Sequence, residues 1–281
     1  MSIFSSNSFV FFTIIIACFI FPDTAHAIQS DWAVSENTRA RILSGVKNIG
    51  PEKTFEAAVE LELAEGWHTY WKHPGDAGLP PRFEWKSSKN IQGLKIFWPT
   101  PKRKNEMDMF TVFAYEGKVR FPLEIVLEKE NTDTHLEVDL QLMVCKDICI
   151  PEQLKLSLDL DAGDGEISAQ QKRIDFAKIK IPETRPVPVL KVDTVVASKD
   201  ALVIAVEMNR GFKKADIFAY TQDGVMTGSP VIKIDENNDK RAMVKLPKPG
   251  DVEDLAEFLS GKTTYIIIKD GTTSIEKEVK L

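Results

Sequence analysis

Two cysteines separated by three residues, in the run VCKDICIPE over residues 144–152, are the groups of this sequence best suited to chemistry. Cys145 and Cys149 can join as a disulfide, part as two thiols, and in the reduced form offer a thiolate that attacks a disulfide elsewhere. Between them Lys146 favours a thiolate and Asp147 opposes it, so their effects on the cysteine pKa partly cancel. The spacing differs from the Cys-x-x-Cys of a thioredoxin site, which opens a helix whose N-terminus acidifies the first thiol.

Something must hold the pair in place. The run LQLMV enters Cys145, and the alternating run QLKLSLDL over residues 153–160 leaves Cys149 behind, so the spacing predicts a β-hairpin with one cysteine on each side of a three-residue tip. Facing residues of an antiparallel pair have Cα atoms about 4.5–5.5 Å apart, inside the span of about 4.4–6.8 Å that a disulfide bridges without strain. Two readings stay open, a structural staple and a redox couple. Closing a loop of about five residues stabilises by only roughly 2 kcal/mol, against ~4.7 kcal/mol for a hundred-residue loop. The spacing therefore favours the redox couple.

Other constellations are weaker. Met107, Met109 and Met143 with the cysteines offer soft ligands to Cu(I), although methionines serve more often as packing residues. His68 and His73 flank Tyr70 and Trp71 without a ligand spacing that completes a metal site, and read as surface imidazoles beside aromatics. The GDAG run over residues 75–78 is followed by Leu79, Pro80 and Pro81 where a phosphate-binding helix would start, so it reads as a turn. Trp67, Trp71, Trp85 and Trp98 fall in strand-like runs, where large aromatics pack in a core. No arrangement of serine, histidine and acid suggests hydrolysis, and no cofactor or small-molecule substrate is expected.

The compartment suits disulfide chemistry. Residues 9–21 are continuously apolar and lead to Pro22 and the small-x-small run AHA over residues 25–27, which predicts a cleaved secretory signal over residues 1–27. A second reading makes Cys18 the lipidated N-terminus of a lipoprotein. Removal of the leader leaves two of the three cysteines, an even count where disulfides form. With 36 Lys and Arg against 42 Asp and Glu, the chain is acidic and nucleic acid is excluded as a partner.

Val-, Ile- and aromatic-rich runs separated by Gly, Pro, Asn and Asp recur about every ten residues. Strands are expected at 40–46, 55–63, 82–85, 94–98, 118–127, 135–144 and 152–160, then at 189–196, 201–207, 215–220, 241–246, 263–269 and 274–280. Residues 161–188 carry a breaker-rich stretch with a helix over 167–179 and read as a linker. Asp251 is expected to cap a short helix reaching Ser260. The fold class is all-β, with two immunoglobulin-like β-sandwiches over residues 28–160 and 189–281 joined by a partly helical linker.

Three stretches carry a family resemblance: GWHTYWKHPGDAGLPPRFEW over residues 66–85, FWPTPKR over 97–103, and VCKDICIPE over 144–152. In order and spacing the first half resembles the N-terminal domain of the thiol:disulfide interchange protein DsbD family, and most of all the N-terminal region of suppressor-of-copper-sensitivity protein B. The second half is similar to the second β-domain of those copper-sensitivity relatives. The resemblance implies a periplasmic redox domain whose cysteine pair receives electrons relayed across a membrane and passes them to oxidised periplasmic proteins. It makes Cys149 the attacking thiol and Cys145 the resolving one, and it places a cap loop over them at residues 105–110, with Met109 and Phe110 at its end. It implies thioredoxin-like or disulfide-isomerase proteins as partners; because the chain ends at Leu281 without the membrane-embedded relay of full-length relatives, a separate membrane protein is expected as electron donor. The alternative is a non-enzymatic binding module for copper or protein, stapled by the same disulfide.

Overall fold

The computed structural model describes residues 28–106, 109–226 and 228–281. The predicted signal, the Cys18 lipidation site and Met107 lie outside these residues. The first half contains β1 (Ala33–Val34), β2 (Thr38–Ser44), β3 (Thr54–Leu63), β4 (His68–Gly75), β5 (Arg82–Glu84) and β6 (Ile91–Ile96). It continues with β7 (Lys102–Glu106), β8 (Phe110–Glu116), β9 (Lys118–Leu127), β10 (Thr134–Cys145) and β11 (Cys149–Leu160). After α1 (Gln171–Lys178) come β12 (Leu190–Ala197), β13 (Ala201–Met208), β14 (Ala215–Tyr220), β15 (Val225–Met226), β16 (Val231–Asp235) and β17 (Asn238–Pro247). Then α2 (Leu255–Leu259), β18 (Thr263–Asp270) and β19 (Thr273–Lys280) complete the chain.

Each half is a pair of antiparallel sheets. In the first, the order β1-β2-β3-β9-β6 faces the order β11-β10-β4-β8-β7, with β5 added on β10. The long strands obey period two: on β11, Leu154, Leu156, Leu158 and Leu160 are buried and the residues between them exposed. Their partners on β10, from Leu136 to Val144, fill the same core with Phe121, Leu123 and Ile125 of β9. On the outer face of β3, buried Glu60 lies between Arg41 of β2 and Arg120 of β9. Burial pushes that carboxyl up, but the two guanidiniums outweigh it and hold the pKa below the ordinary value. In the second half β12-β13-β17-β16 faces β15-β14-β18-β19 around Ile204, Val244, Ile266 and Ile268.

The connecting residues are not a free tether. Glu166 O accepts from Lys47 N at 2.7 Å and Ser168 N donates to Gly45 O at 2.8 Å, while Ile174 and Ala177 bury one side of α1. The segment is thus docked on the first β-sandwich. The short helix α2 is capped by Asp254, whose side chain accepts from Glu257 N, and not by Asp251. The expected cap lies three residues too early because residues 251–254 hold three acids, and any of them suits a helix start by type alone.

The two halves also share a core. Trp71 of β4 and Phe113 of β8 pack edge-on against Phe218 and Tyr220 of β14 at centroid distances of 5.1–6.4 Å. Arg103 of β7 sits over Phe113 and Phe218, donating to Ile217 O at 2.7 Å and to Gly228 O at 3.2 Å. This aromatic joint lies on the back of β4 and β8, and the cysteine pair lies on their front.

Candidate redox site

The hairpin places the pair as its sequence predicts. Cys145 ends β10, Cys149 opens β11, and the ladder register sets them directly opposite each other. Their sulfurs are bonded at 2.05 Å, and the Cα atoms are 4.1 Å apart, closer than the facing-residue distance expected for an uncrosslinked ladder. Lys146 N donates to Ile148 O at 3.0 Å across the tip. Exposure is unequal: Cys145 is 2% exposed, whereas Cys149 is open to solvent. A partner can reach only one sulfur without moving the sheet.

Burial of Cys145 follows from its neighbours. β4 crosses the end of β10 on the side away from β11, pairing Thr69 with Val144 and His68 with Cys145. Thr69 Oγ1 adds a bond to Met143 O at 2.9 Å. From β4 the fully buried Tyr70 brings its hydroxyl to 3.0 Å from Cys145 Sγ, as donor, and to 3.9 Å from Cys149 Sγ. Burial, and then the negative charge of Glu106, push the Tyr70 pKa up to about 12. The phenol therefore keeps its proton and donates at neutral pH. Val112 and Ala114 of β8 close the apolar cluster around Tyr70 and Cys145, and Met143 packs on it from the hairpin.

Beneath this cluster lies a row of charges. His68 faces Glu106 of β7 through Nε2, and its Nδ1 is 3.1 Å from Lys104 Nζ. Glu116 in turn receives Lys104 at 3.3 Å and Lys102 at 3.2 Å. Burial and the Lys104 ammonium lower the His68 pKa against the pull of Glu106 and Glu116, which leaves the imidazole neutral around pH 7. The expectation of surface imidazoles thus fails: His68 is buried under the redox pair, and His73 is half-buried against Tyr220, with ring centroids 4.4 Å apart. Both sit on a strand covered on its two faces, where no alternation signals burial.

The GDAG turn has a definite task. A Cβ at Gly78, where φ is +91°, would fall 2.2 Å from the Tyr70 ring, so only glycine lets the loop cross over the phenol. Asp76 then ties that loop to β8, accepting from Thr111 N at 2.8 Å and donating its own N–H to Thr111 O at 3.0 Å. Thr111 adjoins Phe110. Phe110 is 39% exposed, so it is no core residue, and it lies on the same face of β8 as Val112 and Ala114. Met109, 73% exposed, forms the end of the β7–β8 turn. Glu152, three residues beyond Cys149, is buried and accepts from Asn37 N at 2.9 Å, from Asn37 Nδ2 at 3.0 Å and from Thr38 Oγ1, anchoring the tip end of the hairpin.

Among the residues that sequence reasoning left unassigned, Tyr70, His68 and Glu106 matter most here. Tyr70 stood in the quoted aromatic run, but nothing in its spacing pointed at sulfur. Among the described residues no group of three or more His, Cys, Asp and Glu side chains converges to hold a metal ion. No described helix is long and apolar enough to cross a membrane.

Comparison with known proteins agrees with this geometry. Residues 40–161 match the family model described as thiol:disulfide interchange protein DsbD, N-terminal, and residues 180–281 match a domain of unknown function, DUF8393. The crystal structure of the N-terminal periplasmic domain of ScsB from Proteus mirabilis superposes with a TM-score of 0.71 at 20% identity, covering 90% of this chain and 98% of that one. A marsupial T cell receptor aligns over 88% of this chain and 97% of its own at 12% identity, but its TM-score of 0.23 carries no argument about fold. No curated protein matches the sequence. Residues 40–161 thus carry the match to the DsbD N-terminal family that the cysteine-bearing motif announced.

Proposed function

We propose that this protein is a periplasmic thiol:disulfide exchange protein that passes electrons to oxidised protein partners through Cys149 and Cys145. The observation that carries the reading is the asymmetry of the pair: one sulfur is open, and the other is buried beside a phenol that donates to it. In the reduced protein the Cys149 thiolate attacks a partner disulfide, forming a mixed disulfide and releasing one partner thiolate. Cys145 then gives up its proton, through solvent, to the partner thiolate already released, and attacks Cys149 Sγ. The intramolecular disulfide re-forms, the second partner sulfur leaves as a thiolate, and the partner has gained two electrons. The Tyr70 hydroxyl stabilises the charge that develops on Cys145 Sγ during that second step. A reduced dithiol on an electron donor resets the pair by the reverse exchange.

The surroundings suit a protein partner. Ile148 at the hairpin tip, Leu79 beyond the GDAG turn, and Met109 and Phe110 are all exposed on elements that surround the disulfide. Such a collar offers apolar contact to a thioredoxin-like or disulfide-isomerase partner. Phe110 and Met109, at the end of the β7–β8 turn, are the residues of the proposed cap loop, which leaves Cys149 open in this structure.

Trapping tests the reading. The Cys145→Ser protein, incubated in reduced form with periplasmic extract, should accumulate mixed disulfides through Cys149, identifiable by mass spectrometry. Equal trapping by Cys149→Ser would overturn the order of attack. A midpoint potential well below about −300 mV would make the bridge a structural one.

A further inference from the structure

On the side of the aromatic joint where α1 ends, the first sandwich, the helix and the second sandwich enclose a cleft of about 400 Å³. Four cations line it, Lys102, Lys118, Lys180 and Lys269, with Glu116 as the single carboxylate of the lining. Lys102 is held by Glu116 at 3.2 Å and Lys118 by Glu62. Among the described residues neither Lys180 nor Lys269 has a carboxylate within ion-pair distance. Burial, with Lys102, Lys180 and Lys214 around it, holds the Lys269 ammonium below its ordinary pKa against the pull of Asp216. The cleft is therefore short of negative charge.

Its remaining walls are of two kinds. Thr100 Oγ1 and Ser274 Oγ, 2.9 Å apart, bridge the two halves with hydroxyls at the rim. Phe176 and Ile179 at the end of α1, which also line the cleft, are 68% and 61% exposed, although α1 buries its other side on the first sandwich. An exposed aromatic and an exposed branched residue at the end of a short helix, lining one concave space with two ammonium groups that have no ion-pair partner among the described residues, are the two halves of a site for an amphiphilic anion.

We propose that this cleft binds a small organic anion, a phosphate or carboxylate carrying an apolar group, with Lys180 and Lys269 on the charge and Phe176 and Ile179 on the apolar part. The cleft takes Lys102, Ala114 and Glu116 from the wall of the redox site, but Lys180, Lys269, Phe176 and Ile179 lie on other elements, and binding there does not depend on thiol exchange.

Calorimetric titration of the purified protein with phenyl phosphate at low ionic strength tests it, because screening is then weakest. One saturable site is expected, with inorganic phosphate bound more weakly. Each of Lys180→Gln and Lys269→Gln should weaken phenyl phosphate about tenfold, the loss of one charge-assisted hydrogen bond. Lys180 is exposed, so its replacement keeps the test valid if the half-buried Lys269 variant fails to fold. Phe176→Ser should bring phenyl phosphate down to the affinity of inorganic phosphate. Absence of saturable binding, or unchanged affinity in Lys180→Gln, would overturn the proposal. Binding only to phosphatidylglycerol vesicles would overturn it in favour of a lipid headgroup.

Discussion

The hydroxyl of Tyr70 is the group whose removal discriminates most sharply between a working redox pair and an inert staple. It donates to the buried sulfur, and burial keeps it protonated, so a charge appearing on Cys145 finds a donor already in place. Tyr70→Phe keeps the ring and its packing on Val112 and Ala114. The Cys145 thiol of the variant should titrate at higher pH, and resolution of a Cys149 mixed disulfide should slow about tenfold, the worth of one hydrogen bond to a charged group. Thiolate absorbance against pH and stopped-flow release of a model thiol check the two parts. An unchanged resolution rate would mean that the phenol only packs. The hairpin that holds the cysteine pair was legible in the sequence because its spacing matches a hairpin tip, whereas the choice of Cys149 as the attacking thiol rests on the family motif and is a proposal. The donor was not, since Tyr70 lies 75 residues from Cys145 and only strand pairing brings them together.

At the scale of elements, the strands with clean alternation were legible nearly to the residue: β9 and β14 fall where the pattern puts them, and β10 and β11 meet at the two cysteines. The strands that build the walls of the site were not. β4 is buried on both faces from His68 to Trp71, which erases the alternation, and β7 reads KRKNE, polar throughout. β7 is a strand because β8 pairs with it, from Lys102 opposite Ala114 to Glu106 opposite Phe110. The hairpin they form carries the proposed cap, and Asp76 fixes its base. Phe110→Ala should raise the rate at which a small alkylating reagent modifies reduced Cys149, severalfold, while the unfolding midpoint stays within about 0.5 kcal/mol, as for other exposed positions. An unchanged rate would remove Phe110 from the cap. Glu152 gives the opposite signature. Its three donors lose their buried acceptor in Glu152→Ala, which should cost about 2–3 kcal/mol in chemical denaturation. With the tip end of the hairpin loosened, the disulfide of that variant should also be reduced faster by dithiothreitol.

At the scale of the whole molecule, the two sandwiches behave as one body because β4 and β8 each serve two cores, and the joint between them contains a titratable ring. His73 lies against Tyr220 and beside Lys72, whose ammonium donates to Tyr220 Oη at 2.8 Å while Tyr220 donates to Glu276. Burial, and then the Lys72 charge, lower the His73 pKa from 6.5 to about 4. In the folded protein His73 therefore binds fewer protons than the unfolded chain does throughout that interval. Stability from this group is fully present above pH 6.5 and is lost as pH falls toward 4. With allowance for partial exposure, the loss amounts to roughly 1–3 kcal/mol. The buried His68 adds to it with the same sign, and Glu60, Glu62 and Glu116, all held below the ordinary 4.5 by their cationic partners, add an acid loss of the same sign once pH falls below about 4.5. Substitution of His73 by Phe keeps a ring against Tyr220 and removes the proton site. Denaturation between neutral pH and pH 5 should accordingly show a shallower decline in His73→Phe than in the parent protein. Parallel declines would place the acid sensitivity elsewhere and leave the joint between the sandwiches indifferent to pH.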